Sequence, residues 1–169
     1  MSEVVAAYIG LGSNLDQPST QVQVAIRELG ELPGSVLERA SSLYESAPLG
    51  PQDQPDFVNA VVRLKTSLAP ELLLDALQGI EQRHGRIRAQ HWGPRSLDLD
   101  ILLYGDRRVQ TSRLRIPHPQ LARRNFVLCP LAEIAAGLTI PGLGSVADLL
   151  VDCPSARLKR LPSETREAG

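Results

Sequence analysis

The sequence predicts an α+β fold: a ferredoxin-like βαββαβ core followed by extra C-terminal helices and short strands. Three observations predict it. Four short apolar or alternating runs, bounded by Gly, Pro, Ser and Asn, read as strands. A segment of helical periodicity lies between the first and second runs, and another between the third and fourth. The second and third runs follow one another with only a loop between them, which is the order of a split βαβ unit. At 169 residues the chain is long enough to bury one core without metal or disulfide staples.

Each element has its own signal. Residues 4–11 are rich in Val, Ala and Ile and are followed by Gly12, Ser13 and Asn14, which read as a turn. Val22, Ala25, Ile26 and Leu29 recur at helical spacing with Gly30 as a stop, so a helix is expected over 20–30. A second strand is expected over 36–44, then a loop over 45–56 carrying Pro48, Gly50, Pro51 and Pro55. Residues 57–64 alternate as a third strand. Ser67 or Ala69 precedes a second helix with Pro70 in its first turn and Leu73, Leu77 and Ile80 on one face, ending near Gly85. A basic loop over 86–96 contains Trp92-Gly93-Pro94. Residues 97–104 alternate Leu and Asp before turning apolar, which makes the fourth strand. A short strand is expected at 107–109, and helices at 126–135 and 145–150. The domain is expected to span 1–153, with 154–169 a polar, flexible tail.

Net charge is −1, from 18 basic and 19 acidic residues, which argues against a binder of extended polyanions. The balance conceals an asymmetry: residues 83–124 hold ten Arg and three Asp, a local charge of +7. Two cysteines make no disulfide framework, the N-terminus lacks a basic leader, and no apolar run reaches the ~20 residues of a membrane span. The expectation is a cytoplasmic protein.

Asp98 and Asp100 carry the sharpest chemical signal. At i and i+2 on a strand both carboxylates project from one face while Leu97, Leu99 and Ile101 turn to the other. Two such carboxylates repel unless a cation lies between them, and a hard divalent ion such as Mg²⁺ suits that place. Pairing with nearby arginines on a solvated face is the simpler alternative. Arg86, Arg88 and Arg95 precede the pair, and Arg113, Arg115, Arg123 and Arg124 follow it. Guanidinium groups bind phosphate oxygens in a bidentate fork, so acids that hold metal beside arginines that hold phosphate make a phosphoryl-transfer site. The rival is a binding module that uses the arginine face for RNA or nucleotide, although the aromatic RNA-binding signature is missing. His118, held between Pro117 and Pro119, could donate to a phosphate oxygen or act as an acid; an exposed or structurally bonded loop histidine is the simpler alternative. Phe57, Phe126 and Trp92 are half of all the aromatics, and two rings could sandwich a planar heterocycle. Asn59 shares a strand face with Phe57 and offers a donor and an acceptor to a pterin or purine edge.

Taken in order, YIGLGSN at 8–14, PLGPQDQP at 48–55, WGPR at 92–95, LDLDI at 97–101 and IPH at 116–118 resemble the 6-hydroxymethyl-7,8-dihydropterin pyrophosphokinase family of folate biosynthesis over residues 4–135. The resemblance implies that ATP gives its β,γ-diphosphoryl group to the pterin hydroxymethyl oxygen and AMP leaves. It implies two Mg²⁺ ions on Asp98 and Asp100, with Arg86 and Arg95 as catalytic phosphate holders. Gln78, Glu81, Arg88, Trp92, Ile101, Arg113, Arg115, His118 and Arg124 are implied on the ATP side. Ser46, Ala47, Pro48, Leu49, Phe57, Asn59, Trp92, Asp98 and Phe126 are implied on the pterin side. The loops at 45–56 and 85–96 would close over the substrates. The implied partners are these two small molecules, with no nucleic acid and no membrane, on a monomer. Ser46-Ala47 stands where the family pattern has Thr-Pro, and Phe57 and Pro119 each stand where it has Tyr.

Overall fold

The chain order is β1 (Val5–Ser13), α1 (Pro18–Leu29), β2 (Ser35–Ala40), β3 (Tyr44–Ser46), β4 (Phe57–Thr66), α2 (Pro70–Arg83), β5 (Asp98–Tyr104), β6 (Val109–Gln110), β7 (Arg115–Ile116), α3 (Asn125–Ile134), β8 (Thr139–Ile140), β9 (Gly144–Ser145), α4 (Val146–Val151) and β10 (Leu158–Arg160). The computed structural model describes residues 4–14, 17–46, 56–84, 97–151, 153 and 158–162. Among them β1 is the central strand, antiparallel to β4 on one side and to β5 on the other. β2 and β3 share the far edge of β4, and β10 pairs beyond β3, making one six-stranded sheet among the described residues.

Side-chain alternation sorts this sheet into two apolar layers. Ala7, Ile9 and Leu11 of β1, Val58, Ala60 and Val62 of β4, and Leu99 and Ile101 of β5 pack on Val22, Ala25 and Leu29 of α1 and Leu73, Leu77 and Ile80 of α2. The opposite face presents Tyr8, Val61, Leu102 and Leu103 to Val127, Leu128, Leu131 and Ile134 of α3 and to Val146 of α4. Leu102 and Leu103 are adjacent yet join the same layer. The β1–β5 register slips between Tyr8 and Ile9, and a bulge of that kind re-aims one side chain. Both long helices facing the first layer open on a proline, Pro18 and Pro70, where a missing N–H costs nothing.

Four expectations need correction. The turn expected at Gly12 to Asn14 is strand as far as Ser13, because β1 is paired on both edges there. The single strand expected over 36–44 is two. Ala40 pairs with Val62 and Tyr44 with Asn59, so one strand advances four residues while its partner advances three. Ser41 absorbs the extra residue: its N–H donates to Val61 O at 2.9 Å, and its hydroxyl accepts from Val61 N at 3.0 Å in place of a main-chain carbonyl. Within the tail expected to be flexible, Leu158–Arg160 is the strand β10. The strand expected at 107–109 begins at Val109 and pairs with β7. Among the described residues no helix is long and apolar enough to cross a membrane.

Candidate active site

The acidic pair stands at the start of β5, on the sheet face that meets α3. Asp98 pairs with Gly12 and Asp100 with Gly10, while the same glycines pair on the other side with Asn59 and Val61. A row therefore runs across three strands from Asp98, over Gly12, to Asn59. Glycine leaves the middle of that row empty of side chain. A Cβ on Gly12 would lie 3.9 Å from both Asn59 Nδ2 and the Phe57 ring, and one on Gly10 would press to 3.3 Å on Leu102. Gly12, read from sequence as a turn, thus leaves open the space between Asp98 and the Phe57–Asn59 wall, while the space over Gly10 is filled by Leu102.

The wall is held from behind. Tyr44 lies directly opposite Asn59 and Ser46 opposite Phe57. Ser46 donates its hydroxyl to Asn59 Oδ1 at 3.3 Å, which leaves the amide orientation defined by a buried partner. Asn59 is 3% exposed, so such a partner is required for its buried carbonyl. Phe57 and Phe126 are both half-buried, and the Arg124 guanidinium lies 5.6 Å from the Phe126 ring centroid.

The other side of the acidic pair opens into a cavity of about 440 Å³, lined among others by Asp100, Ile101, Arg113, Arg115 and His118. Five residues expected at one site from motif spacing are therefore neighbours in space. Arg113 stands in the connection between β6 and β7, and Arg115 in β7 next to buried Ile116. His118 donates its main-chain N–H to Leu102 O at 3.0 Å, and its ring Nδ1 accepts from Gln120 N at 3.1 Å. The neutral ring then carries its proton on Nε2. Burial first, and the nearby Arg124 charge second, push its pKa down to about 4, so the ring is neutral at physiological pH.

Two predicted residues have partners that spacing could not reveal. Glu81 is 4% exposed, and its carboxylate accepts from the Leu99 N–H at 2.7 Å, between the two aspartates. It fixes the backbone that aims them. Arg113 bridges Glu71 at 2.8 Å and Asp75 at 2.7 Å on α2, and these hydrogen bonds, that to Asp75 foremost, raise its pKa. Gln78 is exposed on the same helix. Ala47, Pro48, Leu49, Arg86, Arg88, Trp92 and Arg95 lie outside the described residues. Sequence reasoning read Gly12 as a turn that could touch a ligand and did not single out Tyr44 behind the Asn59 wall. The strand registers are what identify them.

This geometry can be set beside known proteins. Residues 8–136 match the family model described as 7,8-dihydro-6-hydroxymethylpterin-pyrophosphokinase (HPPK). The chain belongs to that family. It is 49% identical over 147 residues to the 2-amino-4-hydroxy-6-hydroxymethyldihydropteridine pyrophosphokinase of Haemophilus influenzae, covering 87% of this chain and 92% of that one. It is 50% identical over 155 residues to the enzyme of the same description from Pseudomonas aeruginosa, covering 92% of this chain and 96% of the relative. Among solved structures, the wild-type HPPK-DHPS of Plasmodium falciparum with pteroate superposes with a TM-score of 0.73 at 14% identity, over 90% of this chain. This chain spans 43% of that longer one, and the likeness concerns the fold. Within the family match, Phe57 and Asn59 stand on one side of Gly12, and Asp100, Arg115 and His118 line the cavity on the far side of the acidic pair.

Proposed function

We propose that this cleft is where the protein transfers diphosphate from ATP to the hydroxymethyl group of 6-hydroxymethyl-7,8-dihydropterin, releasing AMP, in folate biosynthesis. The observation that carries the site is the row Asp98–Gly12–Asn59. It puts an acidic pair and a heterocycle-reading amide on one sheet face with no side chain between them. The βαββαβ order, with β4 and β5 flanking β1, supports a ferredoxin-like core.

The pterin lies between Phe57 and Phe126, and Asn59, oriented by Ser46, reads its edge together with the segment Ala47 to Leu49. The hydroxymethyl oxygen attacks the β-phosphorus. A new O–P bond forms, the bond from the β-phosphorus to the α,β-bridging oxygen breaks, that oxygen leaves with AMP, and the hydroxyl proton is lost to solvent. Arg86 and Arg95 hold the polyphosphate, with Arg88, Arg115 and Arg124 adding phosphate or ribose contacts. His118 donates from Nε2, a role for which its neutral ring is suited. Gln78, Ile101 and Trp92 border the nucleotide.

The donor set fits magnesium. Asp98 and Asp100 are half-buried, strand-fixed carboxylates at alternate positions of β5. Mg²⁺ suits one or two carboxylates and takes its remaining oxygens from phosphate and water. When bound on Asp98 and Asp100, two such ions would supply charge neutralisation at the transferring phosphates. Closure of the loops at 45–56 and 85–96 would exclude water as a competing acceptor. The protein acts as a monomer on this reading.

The test is product identity. Protein with Mg-ATP and the hydroxymethyl pterin should yield AMP and the pterin diphosphate in equal amounts. Formation of ADP, or turnover indifferent to pterin, would overturn the proposal.

A further inference from the structure

Behind the Phe57–Asn59 wall lies a polar cluster that the reaction itself does not use. Glu133 sits on α3 two turns after Phe126. Its carboxylate accepts from Ser42 N at 3.0 and 3.1 Å, from the Ser42 hydroxyl at 2.8 Å and from the Tyr44 hydroxyl at 2.9 Å. Arg160 of β10 adds a contact at 3.2 Å and donates to the Ser42 hydroxyl at 3.0 Å. One side chain thus ties together α3, the bulged segment before β3, β3 itself and β10. Burial of the carboxylate works against its charge, but the Ser42 and Tyr44 hydrogen bonds and the Arg160 charge outweigh it, and its pKa falls below the ordinary carboxylate range. Burial first, and the bond to Glu133 next, push the Tyr44 hydroxyl up to about 12, so it remains a donor.

The place of this cluster gives it a consequence. Tyr44, 7% exposed, is the cross-strand neighbour of Asn59 on the α3 face. Two residues on, Ser46 holds the Asn59 amide. Phe126, the facing ring, stands on the helix that carries Glu133. Glu133 therefore ties β3, which carries Ser46, to α3, which carries Phe126.

We infer that Glu133 is a positioning residue for the heterocycle half of the cleft: acting through Tyr44 and Ser42, it holds the Ser46–Asn59 wall against the helix that bears Phe126. The inference rests on the proposed pterin site. It implies that the heterocycle half depends on a charge that no substrate touches, and that the nucleotide half does not.

Calorimetric titration of the full chain separates the two. Pterin is titrated with the nucleotide site saturated by a non-hydrolysable Mg-ATP analogue, and the analogue is titrated alone. Glu133→Ala should weaken pterin about tenfold and leave the analogue within about twofold, since a charge-assisted buried hydrogen bond is lost on one side only. Tyr44→Phe keeps the ring and loses the hydroxyl, and should weaken pterin about threefold. The double variant should be no weaker than Glu133→Ala alone, because both lie on one path. Glu133→Gln, which keeps the shape, should recover part of the affinity. Equal weakening of both ligands, or unchanged pterin affinity in Tyr44→Phe, overturns the inference; the second holds even if Glu133→Ala does not fold. Wild-type protein that neither binds pterin nor forms AMP would instead overturn the site reading itself.

Discussion

The two halves of the cleft are built by different physics. The proposed heterocycle half is made of neutral groups on paired strands: Phe57, Asn59, Ser46 and Tyr44 stand at fixed register positions, with Ser46 donating to Asn59 and Tyr44 to Glu133. The phosphate half gathers charge on short elements. Asp98 and Asp100 open β5, Arg113 and Arg115 flank and occupy a two-residue strand, and His118 follows it. A planar ring is recognised by shape and by a few aimed donors, so its site gains from rigidity. Charge that develops on polyphosphate as a reaction proceeds is best met by charged groups already aimed at it, so its site gains from supports such as Glu81 behind the acidic pair.

Removing the acidic pair should break the comparison most sharply. Asp98→Ala or Asp100→Ala should lower kcat by about 10³-fold or more while pterin affinity changes only severalfold, because the lost interaction belongs to the transferring charge. Single-turnover rates and calorimetry check this, and near-normal kcat in either variant would remove the carboxylates from the metal role. Glu81→Ala comes next. It strips the acceptor from the Leu99 N–H, so kcat should fall about 10–100-fold, as when support behind a metal ligand is lost. Lower thermal stability should accompany it, and Glu81→Gln should recover most of both. A stable Glu81→Ala variant with full activity would show that β5 aims the pair unaided.

Gly12→Val tests the other half. Filling the floor beside Asn59 and Phe57 should raise KM for pterin about tenfold or more with little change for ATP, since a pocket misfit of one or two methyl groups is worth that much. Equal effects on both substrates would mean that the glycine serves the whole cleft. The smallest effect concerns His118. Its folded pKa of about 4 lies below the ordinary value of 6.5, so the unfolded chain takes up its proton first on acidification. Its contribution to stability is complete above pH ~6.5 and is lost as pH falls towards 4. Thermal unfolding between pH 7 and 4 should show a shallower slope in His118→Asn than in wild type; identical slopes would leave the ring without a role in acid stability.

Legibility followed the range of the interaction. The Asp98–Asp100 pair was readable because period 2 on a strand is local, and the structure puts both residues in β5. The helices were readable from Leu73, Leu77 and Ile80, or Val22, Ala25 and Leu29, for the same reason. The family match reached the rest of the chemistry through motifs in order. The bulge at Ser41 was not readable. Val36 to Tyr44 looks continuous, and only pairing with β4 shows four residues opposed to three. The strand β10 hides in a polar tail because its partner, β3, lies more than a hundred residues away in sequence.

The sequence by itself determined the two long helices, the strands at 57–64 and 97–104, the acidic pair and the arginine-rich segment around it, since each depends on spacing within a few residues. Tertiary structure alone decided what lies beside what. Gly12 became the open middle of a row because β1 is flanked by β4 and β5, and Glu81, buried, and Glu133, half-buried, became supports because distant N–H and O–H groups converge on them. The physical reason is that a carboxylate's role follows from the donors that reach it, and those donors are brought by register and packing, which no local spacing encodes.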